Sequence, residues 1–155
     1  MFCREWGIAW GRRTVLELEL DSIEGQGAAL DDMTMEEAAV RIRDELRGQG
    51  WGALQVDFGP AKSGALRLTL DGSALTSAAR TEGKRCHLLA GMLTAYLTHL
   101  AGRRLHAEEI ACTAEGAARC EFALVDTDRS ERLLDALQSA SDAPGIWHAL
   151  GVEVA

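Results

Sequence analysis

The 155-residue chain has little positive charge, and this limits the partners that it can bind. Sixteen Lys and Arg residues stand against 24 Asp and Glu residues, so the formal net charge is −8. A surface that binds nucleic acid or anionic lipid must present a basic face, because it has to neutralise phosphate groups. We therefore expect neither nucleic acid nor a membrane surface among the partners of this protein.

A long apolar run is also missing. A helix needs about 20 predominantly apolar residues to cross a bilayer, and the most apolar segment, Leu88 to Ala101, is interrupted by two threonines and a histidine. The first residues include Arg4 and Glu5 and contain no apolar stretch typical of a signal peptide. These features predict a cytoplasmic protein without a membrane span.

Several common functional motifs are absent from the sequence. It has no Gly-rich phosphate loop after a strand, no nucleophile elbow and no pair of carboxylates spaced for catalysis. The four cysteines form none of the C-x-x-C pairs that make zinc ribbons recognisable. In a reducing compartment, four cysteines indicate thiols or metal ligands rather than two disulfides. The motifs therefore favour binding over catalysis.

The length suits one compact domain, so residues 1–155 are expected to form a single unit. Helical spacing of apolar residues predicts four helices: Glu5 to Leu20, Thr34 to Arg47, Lys84 to Ala101, and a last one that Asp128 caps. The end of the first helix is also compatible with extended chain, and a loop is expected over Ser22 to Asp32.

Alternation of apolar and polar residues predicts four strands in two hairpins: Trp51 to Phe58 with Ala65 to Leu70, and Leu105 to Cys112 with Cys120 to Val125. This order predicts an α+β fold, an antiparallel four-stranded sheet with helices packed on one face.

Four residues carry the chemical signal: Cys86, Glu109, Cys112 and Cys120. Cys86 opens a predicted helix, where the helix start would favour its thiolate. A hairpin would bring Cys112 and Cys120 together, and Glu109 could reach the same point. Three thiolates and one carboxylate would complete a tetrahedral shell for zinc. Such a site would be structural, and it would join the helix start to the β-hairpin.

The spacing of the cysteines, taken alone, favours a second interpretation in which they bind no metal. Cysteine is among the most buried residue types and packs like a small apolar residue. Three scattered cysteines are then ordinary core residues, and Glu109 is a solvated residue on a strand.

A resemblance to a known family changes this balance. The segment resembles the signature of the 4-vinyl reductase domain family at Cys86, Glu109, Cys112, Gly116, Cys120 and Phe122. Residues 87–96, together with Gly102 and Arg103, are similar to the family's helix and the turn that follows it. The resemblance covers Thr34 to Val125 well and residues 1–33 weakly.

The resemblance implies a zinc site, a pocket and a partner. In the sensor domains of phenol-responsive activators, the cysteines and glutamate matching the four candidates hold zinc. The family fold is similar to that of vesicle-tethering subunits, is usually dimeric and encloses an apolar pocket for a small hydrophobic molecule. Tyr96 matches a pocket-lining position, Met92 lies on the same helix, and Trp51 is a third candidate, although packing in the core is the better interpretation for Trp51.

The ligand that this resemblance implies is an aromatic molecule or a tetrapyrrole. The phenol sensors carry a tryptophan at the end of the strand before the first zinc cysteine. The corresponding region here, Leu68 to Ser73, has none, so a simple phenol is not the expected ligand.

Three functions follow as hypotheses. The leading one is a sensor or carrier for a small hydrophobic molecule, with structural zinc and a homodimeric state. The second is an accessory factor in tetrapyrrole (bacteriochlorophyll) biosynthesis, or a 4-vinyl reductase. The third is an assembly module without a ligand, in which Trp6 and Trp10 form a dimer seam or cover the sheet.

Overall fold

The structure is a computed structural model that describes residues 2–25, 29–77 and 86–153. Its described strands form one four-stranded antiparallel sheet, which confirms the predicted α+β class. The helices are α1 (Phe2–Ile23), α2 (Met35–Gly48), α3 (Ala74–Ser77), α4 (His87–Ala101), α5 (Ser130–Ser139) and α6 (Ala143–Ala149). The strands are β1 (Ala53–Asp57), β2 (Ala65–Asp71), β3 (Leu105–Ala111) and β4 (Cys120–Asp126).

Both predicted hairpins are present, and they meet in the middle of the sheet. The strand order is β1-β2-β4-β3, so β2 and β4 are central and pair with each other. In that pair Leu70 lies opposite Cys120. The end of β2 therefore reaches the start of β4, where one of the candidate metal ligands is located.

Helices cover both faces of the sheet, so the prediction that they pack on one face is wrong. On one face Leu68 and Phe122 join a core with residues of α1, α2 and α4. On the other face Ala123 and Val125 join a second core, which α5 and α6 complete with residues such as Trp147. The physical reason is visible in β4, where all residues except Asp126 are buried and a second apolar surface has to be covered.

Three hydrogen bonds attach α4 to the edge strand β3. The hydroxyl oxygens of Thr98 and Thr94 accept from the backbone N–H groups of Leu105 and Ala107. Near the start of α4, the backbone N–H of Cys86 donates to the carboxylate of Glu109. The spacing of the two threonines fits, because residues one turn apart on a helix and two apart on a strand are separated by similar distances. This attachment places the start of α4 at the end of β3.

Helices α1 and α4 lie unusually close together because small residues line their contact. A side chain on Gly7 would collide with the backbone of Leu88, and one on Gly91 would collide with the backbone of Arg4. Glycine is needed here for close approach, since both residues lie inside helices.

Several local predictions are confirmed and others are wrong. Thr34 and Glu37 form the expected capping box at the start of α2. Asp128 does not cap the last long helix, because it lies within a short 3-10 turn (Thr127–Arg129) before α5.

The limits of α1 and α4 also differ from those expected. Helix α1 continues to Ile23, so its C-terminal end is helical and not extended. The loop that was predicted to begin at Ser22 therefore begins after Ile23. Lys84, the expected start of α4, and residues 26–28 of that loop lie outside the described residues.

Within the described ranges, no helix has both the length and the apolar character that a bilayer crossing requires.

Candidate functional site

The four candidate ligands come together at one point. One potential ligand atom from each of Cys86, Glu109, Cys112 and Cys120 lies within 4.8 Å of each of the others. All four residues are buried, and Glu109 is only 2% exposed. A buried group of three thiols and a carboxylate can hold a metal ion, because these are the donor types that zinc and similar ions bind.

A β-bulge is what allows Glu109 and Cys112 to share this site. Side chains alternate along a regular strand, so residues three apart point to opposite faces. The pairing of β3 with β4 is interrupted between Glu109 and Ala111, which inserts one extra residue. Ile110 packs into the second core on the opposite face, and Cys112 returns to the face of Glu109.

The chemistry of the donor set fits a metal ion. Glu109 Oε2 accepts a hydrogen bond of 2.9 Å from the Cys86 backbone. Its other oxygen, Oε1, is buried and has no hydrogen-bond partner among the described residues. A buried carboxylate oxygen without a partner is costly, and coordination to a cation is one way to offset that cost.

Two hydroxyl groups surround the thiols, and the sequence reasoning missed both. Ser73 Oγ lies 3.6 Å from Cys86 Sγ, and Thr113 Oγ1 lies 3.6 Å from Cys120 Sγ. Thr113 follows Cys112 directly, so its position in the sequence could have indicated this contact. Ser73 follows β2, and only the fold brings it to the site.

The thiols of Cys86 and Cys120 are 3.6 Å apart and share a hydrogen bond. That bond, with burial, raises the pKa of Cys86 well above its ordinary value. The same bond, with hydrogen bonds from Thr113, lowers the pKa of Cys120 to about 6. Burial and the hydrogen bond between the two thiols therefore oppose the effect of the helix start on Cys86.

The three residues predicted to contact a ligand lie in two different parts of the structure. Met92 and Tyr96 are buried in the core between the sheet and the helices. Trp51 is half-buried at the margin of that core, where its ring meets Trp10 edge-on at 5.5 Å between centroids. Their role in ligand binding remains a prediction.

One polar feature of this core was not predicted. The hydroxyl groups of Tyr96 and Thr14 are buried, and neither has a hydrogen-bond partner among the described residues. Burial raises the pKa of Tyr96, and a hydrogen-bonding interaction with the Thr14 hydroxyl, whose geometry is not that of a full hydrogen bond, offsets part of this rise. The two residues are on α4 and α1, so the two hydroxyls lie at the contact between these helices.

Two of the surface cavities with mainly apolar walls border α4 or α1. One of about 190 Å³ lies where the ends of α4, β3 and β4 meet, and its wall includes Phe58, Leu66 and Leu105. A larger groove of about 720 Å³ runs along α1 beside Trp6 and Trp10.

The fold and the cluster define an α+β domain with a buried group of three thiols and one carboxylate that could hold a metal. Residues 66–126 match the sequence model of the V4R domain. This match confirms the predicted resemblance to the 4-vinyl reductase domain family and spans all four candidate ligands. Among curated proteins, none shows a significant sequence match to the chain.

Solved structures with a similar fold include the following three. A vinyl-4-reductase family protein from Methanocaldococcus jannaschii has a TM-score of 0.61 and 16% identity, over 81% of this chain and 68% of that one. The phenol-responsive sensory domain of the transcription activator PoxR, solved with phenol, has a TM-score of 0.60 and 19% identity, over 90% and 71%. A trafficking protein particle complex subunit 3 from Naegleria fowleri, covalently bound to palmitic acid, has a TM-score of 0.60 and 14% identity, over 79% and 76%. At these identities the likeness establishes the fold alone.

Proposed function

We propose that the protein is a sensor or carrier that binds a small hydrophobic molecule carrying one polar group. The observation that carries this proposal is the pair of buried hydroxyls on Tyr96 and Thr14, which interact with each other but form no well-aligned hydrogen bond with any described residue. Burying a hydroxyl without a hydrogen bond costs about 1–3 kcal/mol. A ligand whose polar atom reaches both hydroxyls would remove this cost, while its apolar part packs beside Met92.

The solved structures support this class of ligand. The PoxR domain holds phenol and the trafficking subunit holds palmitic acid. Each of these molecules has an apolar body and a polar end, as the proposed site requires. Trp51 and Trp10 form the outer margin of the same region, and in this proposal Trp51 acts mainly by packing.

We further propose that the cluster of three cysteines and Glu109 holds zinc. Zinc supplies no redox chemistry, and four protein ligands leave it no open position, so the ion would be structural. The residues themselves determine its effect on the fold. Cys86 belongs to the start of α4, whereas Cys112 and Cys120 flank the turn between β3 and β4, so a shared ion would join the helix to the hairpin. This would add the free energy of metal binding to that of folding.

Native mass spectrometry of the full chain, purified without chelator, tests both proposals in one measurement. We expect a mass increase for one metal ion and, in part of the sample, for one small organic molecule. Thermal unfolding with added palmitate, phenol or a free-base porphyrin then identifies the class, because a ligand that binds only the folded state raises Tm. A chain without retained ligand whose Tm responds to none of the three would contradict the ligand proposal. That result would not bear on the zinc proposal, because native mass spectrometry detects the bound metal as a separate mass increase.

A further inference from the structure

The two edge strands of the sheet differ in how their outer backbone groups are used. At the β3 edge, the N–H groups of Leu105 and Ala107 donate to threonine hydroxyls of α4, and the carbonyl oxygen of Ala107 accepts from Arg4 Nη1 at 2.8 Å. At the β1 edge, the backbone of Ala53–Asp57 is bonded to β2 and to no other part of the described chain. Within the described residues, the β3 edge is therefore closed by side chains and the β1 edge is open.

The β1 strand also lacks the features that usually protect an open edge, which are Lys or Pro residues and β-bulges. Its sequence is Ala-Leu-Gln-Val-Asp, and it pairs with β2 in an unbroken register. The β3 strand, in contrast, contains a bulge. Alternate N–H and C=O groups of an antiparallel strand point away from its neighbour. β1 thus presents a row of donors and acceptors with which another extended chain can pair.

An apolar groove of about 340 Å³ lies beside this edge, between β1 and the exposed flank of α2. Val40 on that flank is 45% exposed. Side chains of an added strand would alternate between the two faces of the sheet, so every second one would enter the groove. The apolar wall of the groove consists of Ala39, Val40, Leu54, Val56 and Phe58.

The charge around the β1 edge is negative. Glu36 lines the groove and Asp57 ends β1, and neither belongs to an ion pair among the described residues. Arg43 also lines the groove, but it is paired with Asp44 at 3.0 Å. Together with the formal net charge of −8, this favours a bound segment that carries basic side chains.

A single extended segment fits this edge better than a second copy of the chain. Antiparallel pairing of two β1 strands would place both α2 helices on the same face, on either side of the joined edges. The groove of about 340 Å³ has no room for a helix about 10 Å across. It can accept the apolar side chains of one strand.

We propose that the β1 edge and its groove bind an extended segment of a partner protein, which adds a fifth strand to the sheet. The segment carries apolar side chains at alternate positions, which enter the groove, and basic side chains between them. In this mode of recognition the backbone hydrogen bonds supply affinity and the groove selects the side chains. The surface includes neither the metal cluster nor the Tyr96 hydroxyl, so this proposal does not depend on the proposed function.

A synthetic peptide of alternating lysine and valine, acetyl-Lys-Val-Lys-Val-Lys-Val-amide, tests the proposal with the full chain. Nuclear magnetic resonance measures amide exchange residue by residue. In the free protein, the β1 amides that point away from β2 should exchange rapidly, and the peptide should slow their exchange by at least about ten-fold. Two control peptides should bind at least about ten-fold more weakly, one with glutamate in place of every lysine and one with proline in place of the central valine.

A variant of α2 tests the groove by fluorescence anisotropy with the labelled peptide. Val40→Lys places a positive charge in the groove and should weaken binding of the basic peptide by at least about ten-fold. The matched control is Leu134→Lys on α5, because Leu134 is 42% exposed and lies away from β1. Circular dichroism of both variants verifies that they are folded.

Four results would overturn the proposal. They are no binding of the peptide up to about 1 mM, equal binding of the glutamate peptide, equal affinities of Val40→Lys and Leu134→Lys, and β1 amides that are all protected in the free monomer. The last result would mean that another part of the chain covers the edge. Protection that occurs only in a dimer detected by sedimentation velocity, and that Val40→Lys abolishes, would assign the edge to a second copy and would also contradict the proposal.

Discussion

The backbone N–H of Cys86 donates a 2.9 Å hydrogen bond to Oε2 of Glu109 and so connects the start of α4 to β3. The second carboxylate oxygen is left buried without a hydrogen-bond partner among the described residues. Glu109 thus combines two tasks that a metal ligand commonly has. One oxygen is oriented by the protein, and the other is available to an ion.

The first prediction concerns the metal content. Protein purified without chelator should contain about one zinc ion per chain, as four donors in one cluster imply. The double variant Cys112→Ser/Cys120→Ser should lose the ion and unfold at a lower temperature, because metal binding adds to folding stability. Elemental analysis by mass spectrometry and thermal unfolding provide the two measurements.

Cys3→Ser is the matched control for this experiment, since Cys3 is exposed on α1 and should not affect metal content. A folded wild-type protein that carries no metal after purification, and takes up none from added zinc, would exclude the metal site. The three cysteines would then be ordinary core residues, as spacing alone favoured.

The second prediction concerns Ser73, whose hydroxyl lies 3.6 Å from Cys86 Sγ. A hydrogen bond to a thiolate ligand orients it, and loss of such outer contacts typically weakens metal binding about 10- to 100-fold. Ser73→Ala should show a loss of this size in competition with a zinc-binding dye. Ser139→Ala removes a hydroxyl that bonds only to the backbone of α5 and should leave zinc affinity unchanged. Equal affinities in the two variants would show that Ser73 does not support the metal site.

The third prediction concerns the contact between α1 and α4. Gly7→Ala should destabilise the protein by at least about 1–3 kcal/mol, because the new Cβ would collide with the backbone of Leu88 and the helices cannot separate without loss of packing. Gly48→Ala is the control, since a Cβ there meets nothing within 4 Å and the residue lies at the end of α2. That variant should be neutral or slightly stabilising. Urea unfolding of both variants would reveal the difference, and similar midpoints would contradict the close packing.

Much of the fold could be predicted because local patterns and tertiary structure agree. Thr34 and Glu37 cap α2 by contacts between residues three apart, so the sequence contains all the information needed. The hairpin of β1 and β2 follows from alternation on either side of a short connection.

The last predicted helix corresponds to α5, but its position on the second face of the sheet and the existence of α6 were missed. The run from Cys120 to Val125 is apolar apart from Glu121, a pattern typical of a strand covered on both faces. Glu121 itself is buried, and it accepts hydrogen bonds from Arg67 and from the indole of Trp147 on α6. Asp142 and Pro144 are typical residues for a helix start, and they could have revealed α6.

The residues of the candidate site were predicted, but the backbone geometry that brings Glu109 and Cys112 together was not. Strict alternation would have separated Glu109 from Cys112, and only the bulge at Ile110 places them on one face. A bulge depends on the pairing with β4, and nothing in the local sequence of β3 requires it. The contribution of Ser73 likewise depends on the fold, because 13 positions separate it from Cys86.

The fourth prediction separates ligand binding from packing at Tyr96. Its hydroxyl is buried without a hydrogen-bond partner among the described residues, so Tyr96→Phe removes a polar group that costs free energy in the ligand-free protein. The variant should be more stable by about 1 kcal/mol, which corresponds to a rise in Tm of about 2–4 °C for a chain of this size. Differential scanning calorimetry of the metal-loaded protein measures this change.

The same variant should bind ligand less well, because the polar end of the ligand loses one partner. With whichever of palmitate or phenol raises the wild-type Tm, the increase should be smaller in Tyr96→Phe. Leu97→Met, also buried on α4 but without a hydroxyl group, is the control for a changed side chain in this helix and should keep the wild-type response. If the Tyr96 hydroxyl only contributes to core packing, we expect the opposite result: Tyr96→Phe lowers Tm, and the increase in Tm on adding ligand is the same as in the wild type.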